Sequence, residues 1–170
     1  LELQGGWGRY TVVGTLGLNF NNFSARNIFN KKSWQPLPTG DGQNITIRAQ
    51  TNGTFYSSYN FSFTEPWWGG KKPNSVTFSA YHNTMNYNGQ QTDSLAQKIG
   101  ITGVTLGQGK RLKWPDDYFT LFQSIEYRRF DINNYPLVGA DFTNGIANSI
   151  AYTFALRRDN RDLPIFPTRG

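Results

Sequence analysis

The sequence predicts an all-β chain whose antiparallel strands are joined as hairpins. Eight segments of alternating polarity recur between Leu1 and Arg157, turn signals separate them, and several apolar faces end in aromatic residues beside those turns. Alternation alone fits a soluble antiparallel protein and a transmembrane barrel equally well, because water and a wet lumen both accept the polar face. The aromatic residues near the turns favour the barrel.

Composition agrees. Aromatic residues make up 16% of the chain, glycine occurs 18 times, and hydrophobic residues are only 37%, with a mean hydropathy of −0.57. That is too polar for a helical membrane protein, and no apolar run is long enough for a transmembrane helix. A barrel strand needs only about 9–11 residues with one apolar face. Residues 1–170 read as one unit with no second domain. The absence of cysteine excludes disulfides, thiol nucleophiles and thiolate metal sites. Leu1-Glu2-Leu3-Gln4 lacks the basic start and apolar core of a signal peptide, and a chain that opens inside an alternating pattern and stops on a turn is expected to be an internal fragment. The net charge of +6 is scattered through loops rather than gathered in a stripe, which argues against nucleic acid as a partner.

The first strand, Leu1 to Gly8, is short and weakened by glycine: Leu1, Leu3, Gly5 and Trp7 alternate with Glu2, Gln4, Gly6 and Gly8. After a turn near Arg9-Tyr10, Val12, Gly14, Leu16, Leu18 and Phe20 form the apolar parity of the second strand. Residues 21–42, with Pro36, Pro38 and Gly40-Asp41-Gly42, read as a long connection. Ile45, Ile47 and Ala49 mark a third strand ending at the hairpin turn Asn52-Gly53. Tyr59, Phe61 and Phe63 mark a fourth, stopped at Pro66 and followed by Trp67 and Trp68, which suit a membrane interface. Val76, Phe78 and Ala80 give a fifth, and Asn86 to Ser94 a loop.

In the sixth strand, within 95–112, Ile99 and Ile101 lie on one parity and Val104 and Leu106 on the other, so a bulge near Gly103 is expected. Trp114, in the turn Lys113 to Asp117, is another interfacial candidate. Phe119, Leu121, Ile125 and Tyr127 define the seventh strand, residues 133–144 a loop, and Ile146, Ile150, Tyr152, Phe154 and Leu156 the eighth.

Side-chain chemistry is sparse. His82, the lone histidine, is placed at a strand end and has no evident relay partners. Asp116-Asp117 and Asp159 with Asp162 lie in basic turns, where turn geometry and ion pairing explain them better than acid–base or calcium chemistry. Gly107-Gln108-Gly109-Lys110 lacks the spacing of a phosphate loop. Four N-x-[ST] triplets, at Asn22, Asn44, Asn52 and Asn60, are what a β-chain rich in Asn, Ser and Thr produces by chance. No cofactor, metal or enzymatic activity is predicted.

The last fourteen residues carry the most specific signal. Asp162, Phe166, Pro167 and Gly170 form a D-x-x-x-[FY]-P-[TS]-x-G turn that resembles the one between the eighth and ninth barrel strands of the BamA-type outer-membrane insertases. Gly5-Gly6-Trp7-Gly8, the segment Asn22 to Phe29, and Phe63-Thr64-Glu65-Pro66-Trp67-Trp68 resemble further motifs of that family, so the likeness covers the whole chain. The proline-bearing insert at 30–42 is similar to versions from the Bacteroides/Flavobacterium group.

The resemblance implies an antiparallel sixteen-stranded transmembrane barrel, of which this chain supplies strands one to eight. It implies POTRA domains before Leu1 and the second half of the barrel after Gly170. Connections 21–42, 67–74, 113–117 and 158–170 would face the periplasm. It further implies that the protein inserts and folds outer-membrane proteins at a lateral gate, where the backbone edge of Leu1, Glu2, Leu3, Gln4, Gly5, Gly6, Trp7 and Gly8 pairs with a client strand. Nascent outer-membrane β-barrel proteins, accessory periplasmic lipoproteins and outer-membrane lipid would be its partners. Asp162, Phe166, Pro167 and Gly170 would hold a periplasmic turn. The Arg-Gly-Phe loop of the family is absent from this stretch. Two alternatives remain open: a polypeptide secretion pore of the same superfamily, and a soluble or adhesin-like β-protein that binds carbohydrate through Trp and Tyr.

Overall fold

A computed structural model describes residues 2–7, 12–34, 36–53, 55–70, 74–87, 97–135 and 143–160. Among these residues there are eight strands: β1 (Glu2–Trp7), β2 (Val12–Phe23), β3 (Gln43–Asn52), β4 (Tyr56–Glu65), β5 (Asn74–Asn86), β6 (Lys98–Arg111), β7 (Phe119–Asn133) and β8 (Gly145–Arg158). They form one sheet in sequential order, each strand antiparallel to the next. β1 and β8 are its edges and do not pair with each other among the described residues.

Period-two alternation gives the sheet two unlike faces. Registry places Ile45, Phe63, Phe78, Leu106, Ile125 and Tyr152 on one of them, in a row that crosses six strands. These side chains are not packed inward: Leu106 is 56% exposed and Tyr152 60%. An apolar face left this open must meet hydrocarbon, and it is the lipid-facing side of a barrel wall. The opposite face carries Arg48, Asn60, Tyr81, Gly103, Arg128 and Ser149 in one register row, as a wet lumen requires. Two amides interrupt the lipid face. Gln123 Nε2 donates to Gln108 Oε1 at 3.1 Å, and the Tyr152 hydroxyl donates to Gln123 Oε1 at 3.0 Å, so the pair is partnered within the wall.

The expected bulge near Gly103 is absent. β6 pairs without interruption from Lys98 to Arg111 against β7, and with β5 from Lys98 to Lys110. The polarity of the faces inverts instead. Beyond Gly103, the outer face carries His82, Thr102, Arg129, Asp131 and Asn148, while the inner face carries Met85, Ile99, Ile101, Phe130 and Ile132. Ile99 and Ile132 are 4% and 2% exposed, and they are the buried aliphatic side chains of the described strands. β5–β8 are 13–15 residues long, more than the roughly 9–11 that cross hydrocarbon. Their surplus length stands in water and folds like a soluble sheet, apolar side inward. At its end Tyr87 and Tyr135 stack at 4.8 Å, and the hydrogen bond with Tyr87, then desolvation, pushes the Tyr135 phenol above its ordinary value.

The register does shift elsewhere, between Phe20 and Phe23 of β2, which continues three residues past the expected Phe20. The shift turns Phe23 onto the outer face, where its ring meets Phe63 edge-on at 6.4 Å.

Candidate functional site

β1 is the shortest strand, six residues against 12 for its neighbour β2. Its pairing runs from Glu2↔Gly17 to Trp7↔Val12, so β2 below Gly17 has no β1 partner. Alternate backbone groups of β1 point away from β2, toward a side on which no described strand lies. Gly5 and Gly6 leave the strand thin: a Cβ at Gly6 would meet nothing within 4 Å, and one at Gly5 only the Val13 carbonyl at 4.0 Å. Leu3 is 78% exposed. On the outer face, Leu3, Gly14, Leu16, Ala49 and Tyr59 line a groove of about 240 Å³. Of the predicted edge, Glu2 to Trp7 lie on one strand at the edge of the sheet, paired with β2 on one side, whereas Leu1 and Gly8 lie outside the described residues. The predicted turn residues Asp162, Phe166, Pro167 and Gly170 also lie outside them.

Trp67, Trp68 and Trp114 stand at the same end of the sheet, in the β4–β5 and β6–β7 connections, and all are exposed, Trp114 by 83%. The β4–β5 turn is held by Trp67 N–H donating to Glu65 Oε1 at 2.9 Å and Trp68 N–H to the Asn74 carbonyl at 2.8 Å. In the next connection Asp116 accepts from the Tyr118 N–H at 2.9 Å and from Arg158 at 3.2 Å. Arg157 pairs with Asp159 at 2.9 Å. These aspartates close turns.

In the lumen, the Tyr81 ring crosses Gly103 and its hydroxyl donates to Glu126 Oε1 at 2.8 Å, 45 residues away in sequence. Arg128 lies 3.7 Å from the same carboxylate. A Cβ on Gly103 would stand 2.3 Å from the Tyr81 ring, so glycine is what lets the ring lie flat on the wall. His82 is inside β5 rather than at a strand end, on the outer face, with Nδ1 at 2.9 Å from Thr102 Oγ1 and Nε2 at 3.1 Å from Thr84 Oγ1. Neither threonine is an acid, and no group of three or more metal-ligating side chains occurs among the described residues.

The connection between β2 and β3 has more structure than its turn signals predict. Two short 3-10 turns, Arg26–Phe29 and Lys31–Ser33, are pinned by polar contacts. The fully buried Ser24 donates to Asp41 Oδ2 at 2.6 Å, Ala25 N–H to Gln43 Oε1 at 2.8 Å, and Gln43 Nε2 to Glu65 Oε2 at 2.6 Å. Gly40 adopts φ 134°, and a Cβ there would approach Asn27 Nδ2 to 3.2 Å. No spacing rule could have located this network, because its partners lie 17–22 residues apart.

The fold is similar to that of the crystal structure of BamA from Haemophilus ducreyi lacking POTRA domains 1–3, with a TM-score of 0.54 at 16% identity. The likeness covers 94% of this chain and 29% of that one, so the chain spans under a third of its length. A search of curated proteins gave no match. The model of the Omp85 superfamily domain matches residues 39–170, which include β3–β8 and the motif from Asp162 to Gly170. An open sheet with an apolar lipid face and a polar lumen, together with that match, makes the chain a member of the Omp85 superfamily of outer-membrane protein insertases and secretion pores, located in the bacterial outer membrane.

Proposed function

We propose that the chain is the first half of an insertase barrel and that β1 is the edge on which a client strand is templated. The observation that carries this reading is the free side of β1: six residues, interrupted by Gly5 and Gly6, at the end of a sheet whose other strands are 10–15 residues long. An exposed row of backbone donors and acceptors recruits another strand by hydrogen bonding without regard to most side chains, which suits a machine that serves many clients. A short, glycine-bearing strand also costs little to separate from its closing partner. No side-chain catalyst is needed, since the client exchanges one set of backbone bonds for another.

In this reading the end bearing the β2–β3, β4–β5 and β6–β7 connections faces the periplasm. Trp67, Trp68 and Trp114 anchor that rim in the interface. Asp162, Phe166, Pro167 and Gly170 hold the turn into the second half of the barrel. The partners are nascent outer-membrane β-barrel proteins, periplasmic lipoproteins and outer-membrane lipid.

The test is proline substitution in the full-length protein. Neighbouring residues of β1 direct their N–H groups to opposite sides, so Leu3→Pro and Gln4→Pro between them remove one donor from the side paired with β2 and one from the free edge. Assembly of outer-membrane proteins should fall with at least one of them while the barrel itself still folds. Normal assembly with both overturns templating at β1. Loss of a single dedicated secreted protein, with general assembly intact, indicates a secretion pore instead.

A further inference from the structure

The β2–β3 connection presents side chains that its own fold does not use. Its interior is polar and filled: Ser24 and Pro38 are fully buried, and Asp41, Gln43 and Glu65 are bound into the network that fixes the loop. Outside this framework stand Ile28, Phe29 and Trp34. Phe29 is 96% exposed at the end of the first 3-10 turn, and the Trp34 indole N–H donates to the Ile28 carbonyl at 3.2 Å, which holds the indole beside it. Arg26, Lys31 and Lys32 are exposed around them, and the segment from Arg26 to Trp34 has no acidic residue. The loop therefore displays three apolar side chains and three cations on a frame that hydrogen bonds keep from collapsing.

Its position identifies what this surface meets. The chain leaves β2 at Phe23, whose ring packs on Phe63 of the lipid-facing side, and re-enters at Gln43, bonded to Glu65 on that same face. The knob is thus continuous with the lower margin of the surface that contacts hydrocarbon. Aromatic side chains with nearby cations are the composition that partitions into a charged headgroup layer: the rings enter the boundary with the acyl chains and the cations stay with the phosphates.

We infer that Arg26, Ile28, Phe29, Lys31, Lys32 and Trp34 form a docking surface for anionic phospholipid in the periplasmic leaflet. The inference rests on the periplasmic placement of this end of the sheet given above. Because the β2–β3 connection is joined directly to β2, the neighbour of β1, its grip on the leaflet fixes the height of the wall next to the client edge.

The experiment uses the full-length protein in outer membranes with Phe29→p-benzoylphenylalanine, which keeps an aromatic side chain and forms an adduct with its neighbour on irradiation. Mass analysis should find phospholipid adducts. The same probe at Leu106, on the lipid face, confirms that lipid adducts can be detected. An adduct with protein overturns the inference, as does the absence of a lipid adduct at Phe29 when Leu106 gives one. An adduct with lipopolysaccharide overturns both the inference and the assigned orientation, whereas phospholipid adducts in a protein whose β1 proline variants assemble clients normally leave the inference standing alone. Charge is tested in nanodiscs: adduct yield should be higher in phosphatidylglycerol than in phosphatidylcholine, and R26Q/K31Q/K32Q should weaken that preference by about fivefold per cation removed. Equal yields in the two lipids overturn the choice of an anionic partner. Heat-modifiable migration verifies that the variant barrel is folded.

Discussion

Gly103 shows how one missing side chain organises the lumen. The Tyr81 ring occupies the space a Cβ would take and reaches Glu126, on the second strand over from its own, so β5 and β7 are tied across β6. Gly103→Val should force the ring off the wall and leave Glu126 without its phenolic donor, a loss of about 1–3 kcal/mol by overpacking. The same substitution in a Tyr81→Ala background should cost much less, because the clash is gone. Thermal unfolding of the full-length protein in detergent, carried through both backgrounds, reads the difference; equal losses would mean that the ring and the glycine are not coupled. Gly109 is a contrast, since its near neighbour at 2.6 Å is the movable hydroxyl of Ser75.

At the scale of the element, β6 is one uninterrupted strand that serves two media. At Val104 and Leu106 its outer face is apolar, with Gln108 partnered by Gln123 and Lys110 at the strand end, and its inner face is polar or bare; on the Lys98 side of Gly103 the assignment reverses, with Ile99 inside and Lys98 and Thr102 outside. Leu106→Lys should therefore hinder the barrel in lipid, by about 2–4 kcal/mol if the position lies near the bilayer midplane, while mattering far less in detergent. Ile132→Ala, opposite Ile99 in the part that stands in water, should cost about 2–5 kcal/mol in either medium, because it empties a packed position. Folding titrations in bilayers and in detergent separate the two. A Leu106→Lys penalty that is the same in both would contradict the assignment of that face to lipid.

For the whole molecule, the strands are longer on the side away from β1: β2–β4 have 10–12 residues and β5–β8 have 13–15. β1 has six residues and β7 has 15, so the wall is weakest where the proposed client strand enters. Amide exchange in the full-length protein should consequently be fastest in β1 and slowest in β5–β7, following local opening rather than global unfolding. Protection of β1 equal to that of β6 would speak against an edge that opens in use.

The alternation of each strand, the hairpin turn at Asn52-Gly53 and the thin first strand are local properties, and the order of residues alone determines them. Adjacent side chains must point to opposite faces, and a run of hairpins needs only nearest neighbours. The motif from Asp162 to Gly170 likewise lies in the order of residues alone, and its resemblance to the BamA-type turn agrees with the superfamily match over residues 39–170. Tertiary structure decided where each face changes medium and what the β2–β3 connection becomes. Two parities conflict within β6, and sequence offers a bulge as the economical remedy; only pairing with β5 and β7 reveals that Ile99 meets Met85 and Ile132 in a water-shielded interior. Ser24, Asp41, Gln43 and Glu65 are unremarkable polar residues until the strands align, because their bonds span 17–22 positions and depend on a register that no local pattern encodes.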